Sequence, residues 1–184
     1  MVSTASASAS IRYVIDTRAS QFTVQAFASG VISALSHSPK IAIHEWTGEV
    51  QVAASATGSS TLKVRVKSAS LEVWDELQES DRQKIHRVMK IERLETDRFP
   101  EIVYESSEVR LEKQKEDLYR AAVVGRLNLH GVTSNQEFFS QVALGVDTAR
   151  ACGNSSLRQS DHNIPIASIA GGTLKLHDEL KFSF

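Results

Sequence analysis

The sequence predicts an all-β protein: an antiparallel barrel of eight strands with one α-helix inserted over about 80–93. Three observations carry this. Period-two alternation of apolar and polar residues recurs along most of the chain, which marks strands with one face buried. Turn-forming residues punctuate the alternation at intervals too short for crossover connections, so neighbouring strands run antiparallel. Only one stretch has helical spacing. An antiparallel set of this number closes into a barrel or stacks as a sandwich, and closure removes the open edges that promote aggregation.

The most legible stretch is the hairpin over 117–146. Val123, Gly125, Leu127 and Leu129 fall on one face, with Arg126, Asn128 and His130 on the other. Gly131 supplies a corner where the backbone can reverse without a Cβ penalty. Phe138, Ser140, Val142 and Leu144 then resume one face.

Upstream, Tyr13-Val14-Ile15-Asp16 is a short strand ending in a turn. Phe22, Val24 and Ala26 alternate with Thr23, Gln25 and Phe27. Residues 31–35 are small and apolar without a clear period, and Ser36-His37-Ser38-Pro39 is loop, since Pro39 cannot donate to a ladder. Ile41 to Ala53 reads as a strand whose apolar parity switches near Glu45, the mark of a bulge or strong twist. Residues 54–60 form a small-residue connector. In the strand from Thr61 to Ala69, Leu62, Val64 and Val66 oppose Lys63, Arg65 and Lys67, a basic row that must meet water.

Ser80 followed by Gln83 fits a capping box, with Asp81 favourable near a helix N-terminus. Ile85, Val88 and Met89 make a narrow apolar stripe, suited to lying across an end or edge of the sheet. Phe99-Pro100-Glu101 opens the next strand, in which Ile102 and Tyr104 oppose Val103 and Glu105. Lys113 to Asp117 is a charged turn. Ala149 to Arg158 is a strand, Ser160 to Asn163 a polar loop, and Gly171-Gly172 a hairpin turn. In the last strand Leu174, Leu176, Leu180, Phe182 and Phe184 oppose Lys175, His177, Lys181 and Ser183.

The chain has 184 residues and a net charge of −1, which suits one domain and gives no global field for nucleic acid or an anionic membrane. No apolar run approaches the ~20 residues that cross a bilayer. Residues 1–10, which alternate Ala and Ser from Ala5 to Ser10, bury almost nothing and read as a flexible tail without signal-peptide character, leaving one domain over 11–184. A single cysteine, Cys152, excludes an intrachain disulfide and fits a reducing, cytoplasmic setting; a trimmed precursor would make it periplasmic.

Four segments in order carry a resemblance: Tyr13-Val14-Ile15-Asp16, Phe99-Pro100-Glu101-Ile102, Leu129-His130-Gly131-Val132-Thr133 and Leu157-Arg158-Gln159-Ser160-Asp161. Together they resemble the YceI-like family, lipocalin-like barrels associated with binding polyisoprenoid and other long-chain lipids. The match in order and spacing spans residues 11–184. One departure is local: where family members usually carry an aromatic and a Gly after the Asp, this chain has His162-Asn163. The resemblance implies an apolar tunnel through the barrel, and a homodimer is compatible with it.

The residues themselves argue for binding rather than chemistry. The six histidines, His37, His44, His86, His130, His162 and His177, show no local metal signature, so no metal or cofactor is expected. His130 reads as a turn residue whose ring fixes the hairpin. Ser160, Asp161 and His162 are consecutive, and adjacent side chains diverge, so they do not make a triad. No G-x-S-x-G occurs, and Cys152 reads as an inert core or strand residue. Trp46 and Trp74 suit a cavity mouth or ordinary core.

The apolar face is the candidate site. Its inward residues are Phe22 and Val24; Leu62, Val64 and Val66; Ile102 and Tyr104; Leu127 and Leu129; Phe138 and Val142; and Leu174, Leu176 and Phe182. Either they line a tunnel for a long apolar molecule, or they interdigitate and leave a ligand-free interaction or stress-related scaffold. The expected function is non-catalytic binding or transport of a polyisoprenoid, fatty acid or similar lipid.

Overall fold

The computed structural model describes residues 10–30, 39–53, 60–166, 168–169 and 174–184. The segment 31–38, the connector 54–59, the Gly171-Gly172 turn and tail residues 1–9 lie outside these.

The strands are β1 (Ser10–Val14), β2 (Thr23–Gly30), β3 (Lys40–Ile43), β4 (Trp46–Ala53), β5 (Thr61–Lys67), β6 (Leu71–Val73), β7 (Glu101–Lys115), β8 (Leu118–Leu129), β9 (Val132–Leu144), β10 (Ala149–Arg158), β11 (Ser168–Ile169) and β12 (Leu174–Ser183). All belong to one antiparallel, curled sheet. Eleven follow the path β1-β4-β5-β7-β8-β9-β10-β12-β2-β3-β6, and β11 pairs with β12.

The expected count of eight is not met: the predicted strand Ile41 to Ala53 breaks in two, and the short strands β6 and β11 were not predicted. His44 and Glu45 separate β3 from β4, where the apolar parity switches, and a 3₁₀ turn at Ser68–Ser70 separates β5 from β6. The two bends are bonded together. Glu45 N–H donates to Ser70 Oγ at 3.0 Å, and that hydroxyl lies 2.7 Å from Lys67 O. Since β3 leads into β4 and β5 into β6, the far end of the path returns to strands near its start.

The central hairpin is as the alternation requires. Val123, Leu127 and Leu129 are buried, and the β8–β9 turn is His130-Gly131, both left-handed, at φ 52° and 75°. That backbone matches the twist of the flanking strands. A Cβ on Gly131 would also come within 2.7 Å of the Phe99 ring. The charged turn is narrower than expected: Lys113 to Lys115 stay in β7, and Asp117, at φ 59°, makes the reversal. On the outer face Lys63, Arg65 and Lys67 pair with Glu105, Glu101 and Glu45. Such exposed pairs contribute little.

The inserted helix divides into α1 (Glu79–Arg87) and a π-helical turn at Val88–Arg93. The capping box does not form. The extended residue preceding the helix is Gln78, whose carbonyl accepts from Asp81 N and Arg82 N, both at 3.0 Å. Ser80 therefore lies inside the first turn, and Gln83 Nε2 donates to Glu79 Oε1 at 2.9 Å. Glu79 and Asp81 still favour the N-terminal dipole.

Candidate functional site

Two apolar clusters share the concave face. The first is built on Tyr104, Ala121, Val123, Leu127, Leu129, Phe138 and Ile164. The second is built on Ile41, Ile43, Val66, Leu71 and Val73. Val64, Leu94 and Ile102 pack against both, so the lining is continuous.

Of the residues predicted to face inward, Val66, Tyr104, Leu127, Leu129 and Phe138 are buried. Phe22, Val24, Leu62, Val64, Ile102, Val142, Leu176 and Phe182 are half-buried. The Leu174 side chain lies outside the described residues. Leu62 and Val142 join the first cluster, and Phe22 and Val24 the second. Leu176 belongs to neither.

Aromatic rings connect the clusters. Trp46 and Phe22 meet edge-on at 5.6 Å between centroids, and Phe22 lies 6.5 Å from Phe182. Phe182 lies 6.5 Å from Phe138, which in turn meets Phe184 at 5.6 Å and Tyr104 at 5.4 Å. Edge-on contacts at these distances are favourable beyond their buried area. The Tyr104 hydroxyl, a polar atom in this row, donates towards Gln136 O at 3.2 Å. Burial, and secondarily Glu137, push its ionisation up to about 12, so it stays a neutral donor.

Ile41, Ile43, Leu71, Val73, Ile164 and Phe184 were not among the predicted lining. All three residues Ile41 to Ile43 are buried, so β3 shows no alternation, and β6 is too short to show a period. Ile41 and Ile43 did share a parity, which was the available signal.

One end is bolted by histidines. His130 Nδ1 lies 3.2 Å from His162 O, and its Nε2 lies 3.2 Å from Glu95 Oε1, while the ring packs on Phe99 at 4.4 Å. Arg98 chiefly, with His130, holds the Glu95 carboxyl below the usual range. The polar-loop reading of His162 is corrected: it sits in a 3₁₀ turn, only 1% exposed. Its Nδ1 lies 3.3 Å from Val132 O and its Nε2 3.2 Å from Ser134 Oγ. A serine beside an oriented histidine resembles a nucleophile with its base, but a ring so buried cannot meet a substrate. It ties the 3₁₀ turn to β9.

Over the second cluster, α1 and the π turn after it form a cover through Ile85 and Met89. Val73 N–H donates to His86 Nε2 at 3.1 Å, and Arg82 Nη1 donates to Val73 O at 3.0 Å. Trp46 packs with this cluster, whereas Trp74 is exposed beneath Lys40, 5.0 Å from its ring centroid. Cys152 lies on β10 but is exposed, not core. Two surface cavities, of about 560 and 390 Å³, are polar hollows in which Phe22 is the one predicted lining residue. No cluster of His, Cys, Asp and Glu suited to a metal occurs among the described residues. No helix among them is long and apolar enough to cross a membrane.

Comparison with known proteins agrees with this geometry. A YceI-like domain model matches residues 13–184. The fold is similar to BcnA of Burkholderia cenocepacia at 14% identity and TM-score 0.68, over 92% of this chain and 96% of that one. A polyisoprenoid-binding domain from Saccharophagus degradans matches at 12% identity and TM-score 0.63, over 94% of each chain. The Campylobacter jejuni YCEI protein matches at 15% identity and TM-score 0.51, over 67% of this chain and 70% of that one. A search of curated proteins finds no match.

Proposed function

Because this chain belongs to the YceI-like family, we propose that it binds a long-chain apolar molecule along its concave face and carries it without chemical turnover. A polyisoprenoid, a fatty acid or a similar lipid fits. The carrying observation is that Phe22, Leu62, Val64, Ile102 and Val142 share a continuous apolar face yet are only half-buried. A fully interdigitated core would bury them, as proteins of this size bury most inward side chains. The polyisoprenoid-binding name of a structural neighbour supports the same ligand class.

Reading β3 with β4 as one bent strand, and β5 with β6 as another, turns the path into a ring of eight with β1 added outside. That ring is the lipocalin-like barrel we propose. Each methylene buried in it is worth ~0.8 kcal/mol, so ten contribute on the order of 8 kcal/mol before the costs of association. No charged anchor is then required.

Native mass spectrometry of the purified protein, followed by solvent extraction, tests this. The expected result is a discrete adduct released as a prenyl or acyl species. Val64, which touches both clusters, gives the matching variant: Val64→Trp should remain folded and lose the adduct. A bare mass that takes up no added long-chain lipid would favour the packed scaffold instead.

A further inference from the structure

We propose that α1 is a lid held by a proton-sensitive latch: protonation of His86 releases the Val73 edge of β6 and uncovers the apolar end beneath Ile85 and Met89. The proposal rests on the lipid-binding reading for its purpose, though not for its geometry.

β6 is the last strand of the path. One edge pairs with β3, and the other has no strand neighbour among the described residues. An open edge of this kind must be covered or blunted. Here two side chains of α1 cover it. His86 Nε2 accepts from Val73 N–H, while Arg82 donates to Val73 O and, at 3.4 Å, to Asp75 O. An imidazole nitrogen accepts only while unprotonated. A proton on Nε2 would set one N–H against another, and the contact would become repulsive.

Little else holds the lid. Neither α1 nor the π turn contains a buried residue. In the π turn, Arg93 Nε is buried with no hydrogen-bond partner. π-helical turns recur at functional sites, and this one joins the lid to the strand-bearing body. The apolar contacts of Ile85 and Met89 oppose release.

The groups around His86 set the direction. Burial and then Lys90 hold its pKa below 6.5, with Arg82 adding to them, against Glu72 on β6 and Glu79 on the helix. His44, ahead of β4, lies 3.7 Å from Glu72. The latched state thus prefers neutral His86, and the released state returns to the ordinary imidazole value. The latch is complete above that value and weakens as the pH falls below it, by up to about tenfold in the closing equilibrium per pH unit.

Amide hydrogen exchange read by NMR on the full chain tests the latch. Corrected for intrinsic rates, Val73 protection should fall from about pH 7.5 to about pH 5.5, by up to about tenfold, while the Leu127 and Val123 amides hold. The fall should track the titration of the His86 ring in the unaltered protein. In His86→Gln, whose amide oxygen can accept the same bond, the fall should vanish. Protection that stays constant with pH, or that tracks another histidine, overturns the latch even if the variant does not fold. A stopped-flow measurement of uptake of a neutral pyrene-labelled long-chain alcohol separates the two readings. Uptake that quickens about tenfold over the same interval supports both. Loss of Val73 protection with no uptake at any pH leaves the latch standing and overturns lipid binding.

Discussion

The two clusters on the concave face are both apolar, the first with aromatic members and the second aliphatic, and they differ further in what surrounds them. The first lies under β7, β8 and β9, long strands each paired on both sides. Its end is tied by His162 and by the Tyr104 hydroxyl, each bonded to a backbone carbonyl. The second lies under β3 and β6, of four and three residues, and is closed by a helix without a buried residue. Continuous ladders make apolar contacts into a fixed core. Where the ladder ends, similar contacts make a cover that side chains must hold shut.

Substitutions can break that contrast. Leu127→Ala, in the fixed cluster, should cost about 3 kcal/mol in urea unfolding. His162→Ala should cost about 2 kcal/mol, because it empties a buried site and removes the contacts to Ser134 Oγ and Val132 O that tie the 3₁₀ turn to β9. Ile85→Ala, on the cover, should cost about 1 kcal/mol, since the side chain is only partly removed from water. If Ile85→Ala proves as costly as Leu127→Ala, the two ends are equally rigid and the contrast fails.

The smallest effect sharpens it on the fixed side. Asp178 accepts from Ser160 Oγ at 2.6 Å, Ser160 N at 2.8 Å and Arg158 Nε at 2.8 Å, clamping β10 to β12. The Ser160 bonds first, then Arg158, pull its pKa from 3.8 to about 2. An acid depressed on folding stabilises the fold above its unfolded value and loses that contribution as the pH falls through the folded one. Acid titration followed by circular dichroism should show this loss between those two values, and Asp178→Asn should lack it.

The contrast also explains what the sequence made legible. Val123, Leu127 and Leu129 alternate with Arg126 and Asn128, so the central hairpin and its Gly131 corner could be read directly. β3 was read as strand but its full burial was not, because Ile41, Ala42 and Ile43 are all buried and erase the alternation. The parity switch near Glu45 marked the first bend; the bend at Ser68–Ser70, tied to it by a hydroxyl bonding across strands, had no local pattern to announce it. His162 looked like loop because its neighbours Ser160, Asp161 and Asn163 are polar and exposed. The departure from the family there is conservative in backbone terms. Asn163 adopts φ 55°, a left-handed conformation open to Gly and, at modest cost, to Asn. Of the lining, the strands β5, β7, β8 and β9 were readable, whereas the helix-covered end was not, since it draws on short strands and on a helix whose capping was misplaced.

The register of β2 with β12 carries a consequence for how the chain is made. Thr23 pairs with Ser183, so strands from opposite ends of the chain share a ladder, whereas β8 and β9 are joined by two residues. Local pairing forms early and pairing across such a separation waits on loop closure. Translation delivers β2 long before β12. Until β12 leaves the ribosome the seam has no second side, and the apolar concave face stays open along its length.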